Sequence, residues 1–391
     1  MDDRTALITL ILAHGALGPR HRLAFHEAGP AQALRAGPAL WKAVGCTPAQ
    51  RAWLAHPDGT AIDRALRWLD PPDHHLLPLP ALPLPLREMA EAPLALFVHG
   101  DPGHLAQPLV VVVGSRSPTP SGRALAAEFS AAFARTGLTV LSGLAAGIDG
   151  AAHEAALNAG GATVAIVGNG LDEVYPPHHR HLQAAIARRG AVVSEYAPGT
   201  ASRPAHFPAR NRLVATLGLA TLVVEAAQRS GALITARLAA EAGREVCAIP
   251  GSVRNPRAQG CHRLIREGAA LVETPEEVFA LLAPALARDF PALAADDLQK
   301  PGTGPTQRGR QHALPPSLAG NADYQCLWKA LDHDPTPMDS LIQRSGLTAV
   351  QLSSMLLAME LAGIVVCEHG RYCRNPGFPT STASKTQAEG Q

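Results

Sequence analysis

Gly114, Ser115 and Arg116 open the stretch GSRSPTPSGR, directly behind the apolar run LVVVV. A glycine lets backbone N–H groups approach an anion, a hydroxyl adds a donor, and a guanidinium offers a fork of donors matched to phosphate oxygens. The same chemistry recurs along the chain. Ser142 and Gly143 lead SGLAAGIDGAAHEAAL. Arg203, His206, Phe207, Arg210, Asn211 and Arg212 fall in EYAPGTASRPAHFPARNRL, and no acid occurs between Glu195 and Glu225. Ser230 and Gly231 follow Arg229 in AAQRSGALITA. Arg254 lies in PGSVRNPRAQGCHRLIR, with no acid between Glu245 and Glu267. One arginine behind an apolar run is commonplace. A repeated, one-sided set is the footprint of a phosphate-rich ligand. Neither a G-x-G-x-x-G nor a G-K-[ST] motif is present, so the chain signals no dinucleotide or P-loop nucleotide, and no cofactor is expected.

Other residues could do acid–base chemistry. Asp149 and His153 are spaced i, i+4 and share a helix face. Together with Glu195 and Glu225 they are the candidates for a nucleotide hydrolase or phosphoribohydrolase. No nucleophile or metal ligand sits near them in sequence, so Asp149 and His153 are expected to support the glycine loops. A non-catalytic protein is expected, with no catalytic residue and no metal site. His178, His179, Arg180 and His181 read as a weakly basic surface. The six cysteines are scattered without metal-ligand spacing, which fits free thiols in a reducing cytosol. The opening MDDRTALITLILAHG reads as a helix and not a signal peptide. No window approaches the roughly 20 apolar residues of a membrane span, so a cytoplasmic protein with no membrane partner is expected.

These residues need elements to hold them. The 391 residues carry a net charge of +1, so any phosphate binding must come from local clustering. Apolar runs alternate with amphipathic helical patterns from 109 to about 283: LVVVV, LTVLS, ATVAIVG, AVVSE, LATLVVE, REVCAIP and AALVE. Continuous apolar strands between helices argue for a parallel sheet covered on both faces. The expected fold is α/β: a Rossmann-like doubly wound, mostly parallel sheet, with a small helical N-terminal domain and a C-terminal winged helix. Residues 1–95 read as short helices with Pro-rich joints, similar to a helix-hairpin-helix or SAM-like unit. Within them LLPLPALPLPL (Leu76–Leu86) is expected to be a connector. Residues 96–283 form the sheet domain, 284–321 a flexible linker, 322–375 the winged helix, and 376–391 a disordered tail. The third helix of that winged helix, TAVQLSSMLLAMELAG, has no Lys or Arg, so it is poorly suited to reading a DNA groove. A transcriptional regulator would rest on this unit alone.

The strings VVGSR, SGLAAGIDGAAHEAAL, VAIVGNGLDEVYP, SEYAPGT, HFPARNRL, VVEAAQRSGALITA, AIPGSV and QGCHRLIREGA, in this order, resemble the DNA-processing protein A (DprA/Smf) family. They cover about 109–272. The resemblance implies a cytoplasmic homodimer that binds single-stranded DNA, and duplex DNA more weakly. It implies displacement of single-strand-binding protein and loading of RecA recombinase during natural transformation. It places the phosphate site on Gly114, Ser115 and Arg116, the H-F-P-x-R-N-R segment on His206 to Arg212, and the S-G-x-L-I-T-A turn on Ser230 to Ala236. His179, Arg180 and His262 depart from the family pattern, which often has Asn near the first two and at the third.

Overall fold

A computed structural model describes residues 1–13, 28–291, 318, 320–331, 335–368 and 370–375. The chain divides into two units: residues 1–118 with 125–299, and residues 300–391 with 119–124.

Among the described residues the first unit is built on nine strands: β1 (His74–Pro78), β2 (Ala95–Gly100), β3 (Leu109–Val113), β4 (Thr139–Ser142), β5 (Thr163–Val167), β6 (Ala191–Ser194), β7 (Ala220–Val223), β8 (Glu245–Ala248) and β9 (Ala270–Leu271). Their order is β1-β2-β6-β5-β4-β3-β7-β8-β9. Strands β3 to β9 run parallel, and β2 and β1 add antiparallel at one edge. Every residue of β3 is buried. Val110 and Val112 pack on one face with Phe129 and Phe133, while Val111 and Val113 pack on the other with Leu213 and Val214. That split follows from the two-residue period of a strand, and it explains why these strands read as unbroken apolar runs.

Eleven of the helices matter for the first unit's frame. They are α1 (Asp3–Leu12), α2 (Pro30–Arg35), α3 (Gly37–Ala43), α4 (Pro48–Ala55), α5 (Gly59–Trp68), α6 (Leu84–Glu88), α7 (Pro120–Arg135), α8 (Ile148–Asn158), α9 (Arg180–Arg189), α10 (His206–Leu217) and α11 (Gly231–Glu241). Two more, α12 (Gln259–Arg266) and α13 (Pro275–Asp289), close it.

Two boundaries expected from sequence fall elsewhere in the structure. The sheet begins at His74, so a boundary at 95/96 would detach β1 and cut into β2, two strands hidden by a Pro-rich context. Leu76–Pro78 pair as an edge strand, where proline is tolerated because no ladder donor is needed on the open side. The helices of residues 1–69 do not stand apart either: Ile8, Leu12, Ile62 and Ala65 share a core with Phe97 and Val192 of the sheet. At the far end α13 runs through Pro284 to Asp289, so the first residues of the expected linker are helical. Leu282 and Leu286 are both fully buried and hold that helix on the sheet. The rest of the linker from 292 to 317, the tail from 376, and part of the expected N-terminal hairpin (14–27) lie outside the described residues.

The second unit holds α14 (Ala322–Ala330), α15 (Met338–Ser345), α16 (Ala349–Leu361) and a three-stranded sheet ordered β10 (Thr336–Pro337), β12 (Arg371–Arg374), β11 (Val365–Glu368). This is a winged helix. Thr348 caps α16 in a reciprocal capping box with Gln351, and Gly346 ends α15 in the left-handed region at φ 70°. Leu327, Leu341, Leu352, Leu356 and Met359 form its core. Among the described residues, no helix of the chain is long and apolar enough to cross a membrane.

Candidate nucleic-acid interface

The strand order reverses at β3, whose neighbours are β4 on one side and β7 on the other. In an open parallel sheet, ligands bind beyond the carboxyl ends of the strands at such a switch point. The segments that leave β3 and β7 there are Gly114–Ser115–Arg116 and Arg229–Ser230–Gly231. Gly114 lies between Ile148 and the Glu225 carbonyl, which ties the two segments to the start of α8. Ser230 is the N-cap of α11 and accepts from the Ala232 N–H at 3.3 Å. Its helix terminus presents the positive dipole end that suits an anion. Ser115 Oγ accepts from the Ser117 N–H at 3.1 Å. Arg116 is exposed, and its guanidinium stands 5.3 Å from the centroid of the Phe207 ring. Tyr175 packs against the same ring, tilted by 45° with the ring centroids 5.3 Å apart. An arginine with an aromatic ring beside it offers a phosphate contact and a base-stacking surface in one place.

A second group gathers around the loop after β6. Arg203, His206, Arg212 and Tyr196 line a cleft of about 760 Å³ with Arg64 from α5. His206 stacks on Tyr196 at 4.1 Å, and its Nδ1 bonds the Gly168 carbonyl at 2.9 Å. Arg203 is exposed, as are Arg229 and Arg254. Among the described residues, none of Arg116, Arg203, Arg229 and Arg254 pairs with a carboxylate. Arg254 stands on the loop after β8, where its backbone N–H donates to Ser252 Oγ at 3.2 Å.

Several expected phosphate contacts are corrected. Ser142 is fully buried and donates to the Val112 carbonyl at 2.6 Å. Gly143 is occupied on both sides: its N–H donates to Asp149 Oδ2 at 3.1 Å, and its carbonyl accepts from Arg210 at 2.8 Å. A Cβ at Gly143 would sit 2.5 Å from the Arg210 guanidinium nitrogens. Arg210 is itself buried, donating also to the Ile166 carbonyl and to Asn211 Oδ1 at 3.2 Å. It lies on the inner face of α10 with Leu213, Val214 and Leu217, an i, i+3, i+4, i+7 pattern that the sequence carried. Arg212 is largely neutralised: its Nη2 donates to both Glu195 oxygens at 2.7 Å. These side chains build the floor of the site, and the exposed arginines stand above it.

The floor is electrostatically closed. Asp149 also accepts from the Ala145 N–H at 3.3 Å, so one carboxylate holds the loop of residues 143–145. Burial pushes its carboxyl up, while nearby Arg210 and the loop amides pull it down. Burial depresses the Arg210 guanidinium to about 10, with Asp149 opposing the shift. Leu144 takes φ 57° in this loop, a strained setting for a branched side chain, fixed by complete burial. Its carbonyl accepts from His179 Nδ1 at 3.0 Å. His179 is buried, which corrects its placement on a basic surface. Gly147, at φ 89°, passes so close to Ser115 that a Cβ would lie 2.3 Å from the Ser115 carbonyl. Thr163 Oγ1 donates to the Val140 carbonyl, so it accepts from His153 Nδ1–H at 2.7 Å. The remaining His153 nitrogen is buried without a hydrogen bond, and burial pushes that imidazole down to about 3. Such a group stays neutral and sealed from any substrate.

The sequence left Arg64, Tyr175 and Tyr196 out of the site. An aromatic content of 4% excludes extended stacking platforms, yet these few rings are concentrated beside His206 and Phe207.

Fold and strand order together define an α/β protein of the Rossmann-like class with an appended winged helix. Residues 78–283 match the family model described as DNA recombination-mediator protein A, and residues 311–371 match the DprA winged helix domain. The chain belongs to the DNA recombination-mediator protein A family. It is 38% identical to Protein Smf of Escherichia coli (strain K12) over 317 residues, 80% of this chain and 81% of that protein. It is 46% identical to DNA processing protein DprA of Streptococcus pneumoniae (strain ATCC BAA-255 / R6) over 198 residues, 51% of this chain and 70% of that protein. The X-ray structure of Streptococcus pneumoniae DNA processing protein A superposes with a TM-score of 0.63 at 34% identity, covering 71% of this chain and 97% of that one. A Helicobacter pylori DNA processing protein A structure, described for its single-stranded DNA binding mode, gives a TM-score of 0.50 at 27% identity over 54% of this chain and 96% of that one.

Proposed function

We propose that this protein binds single-stranded DNA along the exposed arginines of the sheet's carboxyl edge, and that it acts without catalysis. The observation that carries the reading is the placement of Arg116, exposed and set against Phe207 at the switch point. Gly114, Ser115, Ser230 and Gly231 supply loop and helix-terminal amides beside it, while Arg203, His206 and Arg254 extend the track. Guanidinium forks and amides recognise backbone, not sequence, so binding is weakly sequence-dependent and favours the strand whose bases can splay onto Phe207. The related Helicobacter pylori protein's single-stranded DNA binding supports this assignment.

The enzyme reading loses support from the geometry of its candidates. Asp149 holds backbone amides, His153 is buried and neutral, and Glu195 is paired with Arg212. The family relationship supports the finer role: a cytoplasmic homodimer that protects incoming DNA, displaces single-strand-binding protein and loads RecA during natural transformation. The test compares single-stranded and duplex oligonucleotides across a salt series. It then asks whether RecA filaments assemble faster on strands coated with single-strand-binding protein. A strong preference for one duplex sequence, or release of base or phosphate from a nucleotide, would overturn the proposal.

A further inference from the structure

At the open edge of the sheet, far in sequence from the arginines, His74 of β1 and His99 of β2 are direct cross-strand partners. Side chains of such a pair project to the same face of the sheet. Asp73 joins them: its carboxylate Oδ2 lies 3.3 Å from His99 Nε2, and ligand-type atoms of all three residues fall within 4.8 Å of one another. We propose that Asp73, His74 and His99 form a binding site for a divalent transition metal, with Zn²⁺ the best match, that clips the outermost strand to the sheet.

Three features make this more than a histidine pair. First, His74 Nδ1 faces the Trp68 carbonyl, an acceptor only, so that nitrogen carries the proton and Nε2 keeps its lone pair. A backbone carbonyl holding the second ring nitrogen is the arrangement that orients metal-bound histidines. Second, the ring cannot turn away. It stacks on Trp68 at 4.0 Å, and Trp68 in turn packs edge-on against Phe97 at 5.9 Å. The Asp73 carbonyl is fixed too, accepting from the Gly100 N–H at 2.8 Å. Third, the 3.3 Å separation of His99 Nε2 and Asp73 Oδ2 suits two ligands of one ion. Zinc bonds of about 2.0–2.1 Å in a tetrahedron set neighbouring ligand atoms roughly 3.3–3.4 Å apart. Two imidazoles and a carboxylate are a donor set that Zn²⁺ accepts, leaving a fourth position for water. No spacing rule reveals the site, because residues 74 and 99 meet only through strand register. It stands at the joint where α5, ending at Trp68, enters the sheet, so an ion there would couple the N-terminal helices to β2.

The test uses the full chain, stripped with a chelator and titrated with Zn²⁺ by calorimetry, with thermal melting in parallel. Binding of one ion per chain and a rise of several degrees in melting midpoint are expected. Co²⁺ in place of Zn²⁺ should give the visible bands of a tetrahedral site. His99→Gln should lose both the binding and the shift. Asp73→Asn, at an exposed carboxylate, preserves shape and should weaken Zn²⁺ by more than about tenfold, the scale on which even an outer-shell partner acts. No stoichiometric binding to the wild-type chain, or binding that survives Asp73→Asn unchanged, would overturn the assignment.

Discussion

Arg210→Met separates a floor residue from a DNA contact. Arg210 is buried and donates to the Gly143 and Ile166 carbonyls, with Asp149 nearby in the same low-dielectric pocket. Methionine keeps much of the volume but leaves two buried carbonyls without their donor and the Asp149 charge uncompensated. Breaking a buried charged network from one side costs about 3–5 kcal/mol. For a unit of this size, at about 2 °C per kcal/mol, that is a fall of roughly 6–10 °C in melting midpoint. The assay is thermal melting of the full chain, paired with single-stranded DNA affinity measured against salt well below the new midpoint. The salt slope should match wild type, because no phosphate-facing charge has been removed. An unchanged midpoint together with a shallower salt slope would show that Arg210 reaches the DNA, and the burial argument would fail.

Phe207→Ala should weaken single-strand binding by about 1–3 kcal/mol through loss of a stacking face, read as a rise in Kd with an unchanged salt slope. Gly147→Ala forces a Cβ against the Ser115 carbonyl at φ 89°, so both stability and DNA affinity should fall, seen in melting and binding on one preparation. His153 has a folded-state value of about 3, below its unfolded value near 6.5, so its contribution is complete above about pH 6.5 and is lost as pH falls toward 3. Denaturant melts at pH 7 and pH 5 should therefore differ by about 2 kcal/mol from this group alone, and His153→Gln should remove that difference. A chain ending at residue 291 should keep the fold of the first unit and most of its single-strand affinity; loss of nearly all affinity would move the main site to the second unit.

The parallel sheet and the winged helix were legible because both are written in local periodicity: buried strands as apolar runs, helices as the patterned stretches between them. Strands β1 and β2 were not, since Pro78 and the surrounding prolines mask an edge strand whose pairing is decided by long-range register. The arginine pattern pointed to one edge of the sheet but could not sort its members. Charge counting treats Arg116 and Arg210 alike. Only the helical phase of α10 distinguishes them, placing Arg210 with Leu213 and Val214 against the sheet. Arg212 was misleading for another reason: its partner Glu195 is seventeen positions away and bounds the acid-free stretch from outside.

We propose that a few exposed arginines, not the whole basic set, carry the phosphate contacts. The most direct test is the salt dependence of affinity for a short oligothymidylate, wild type against the fourfold variant Arg116→Ala, Arg203→Ala, Arg229→Ala and Arg254→Ala. Each lost phosphate contact to a single strand lowers the magnitude of the log–log salt slope by about 0.7, so the variant should lose about 3 while melting as wild type does. A folded variant with the wild-type slope would show that other groups hold the phosphates.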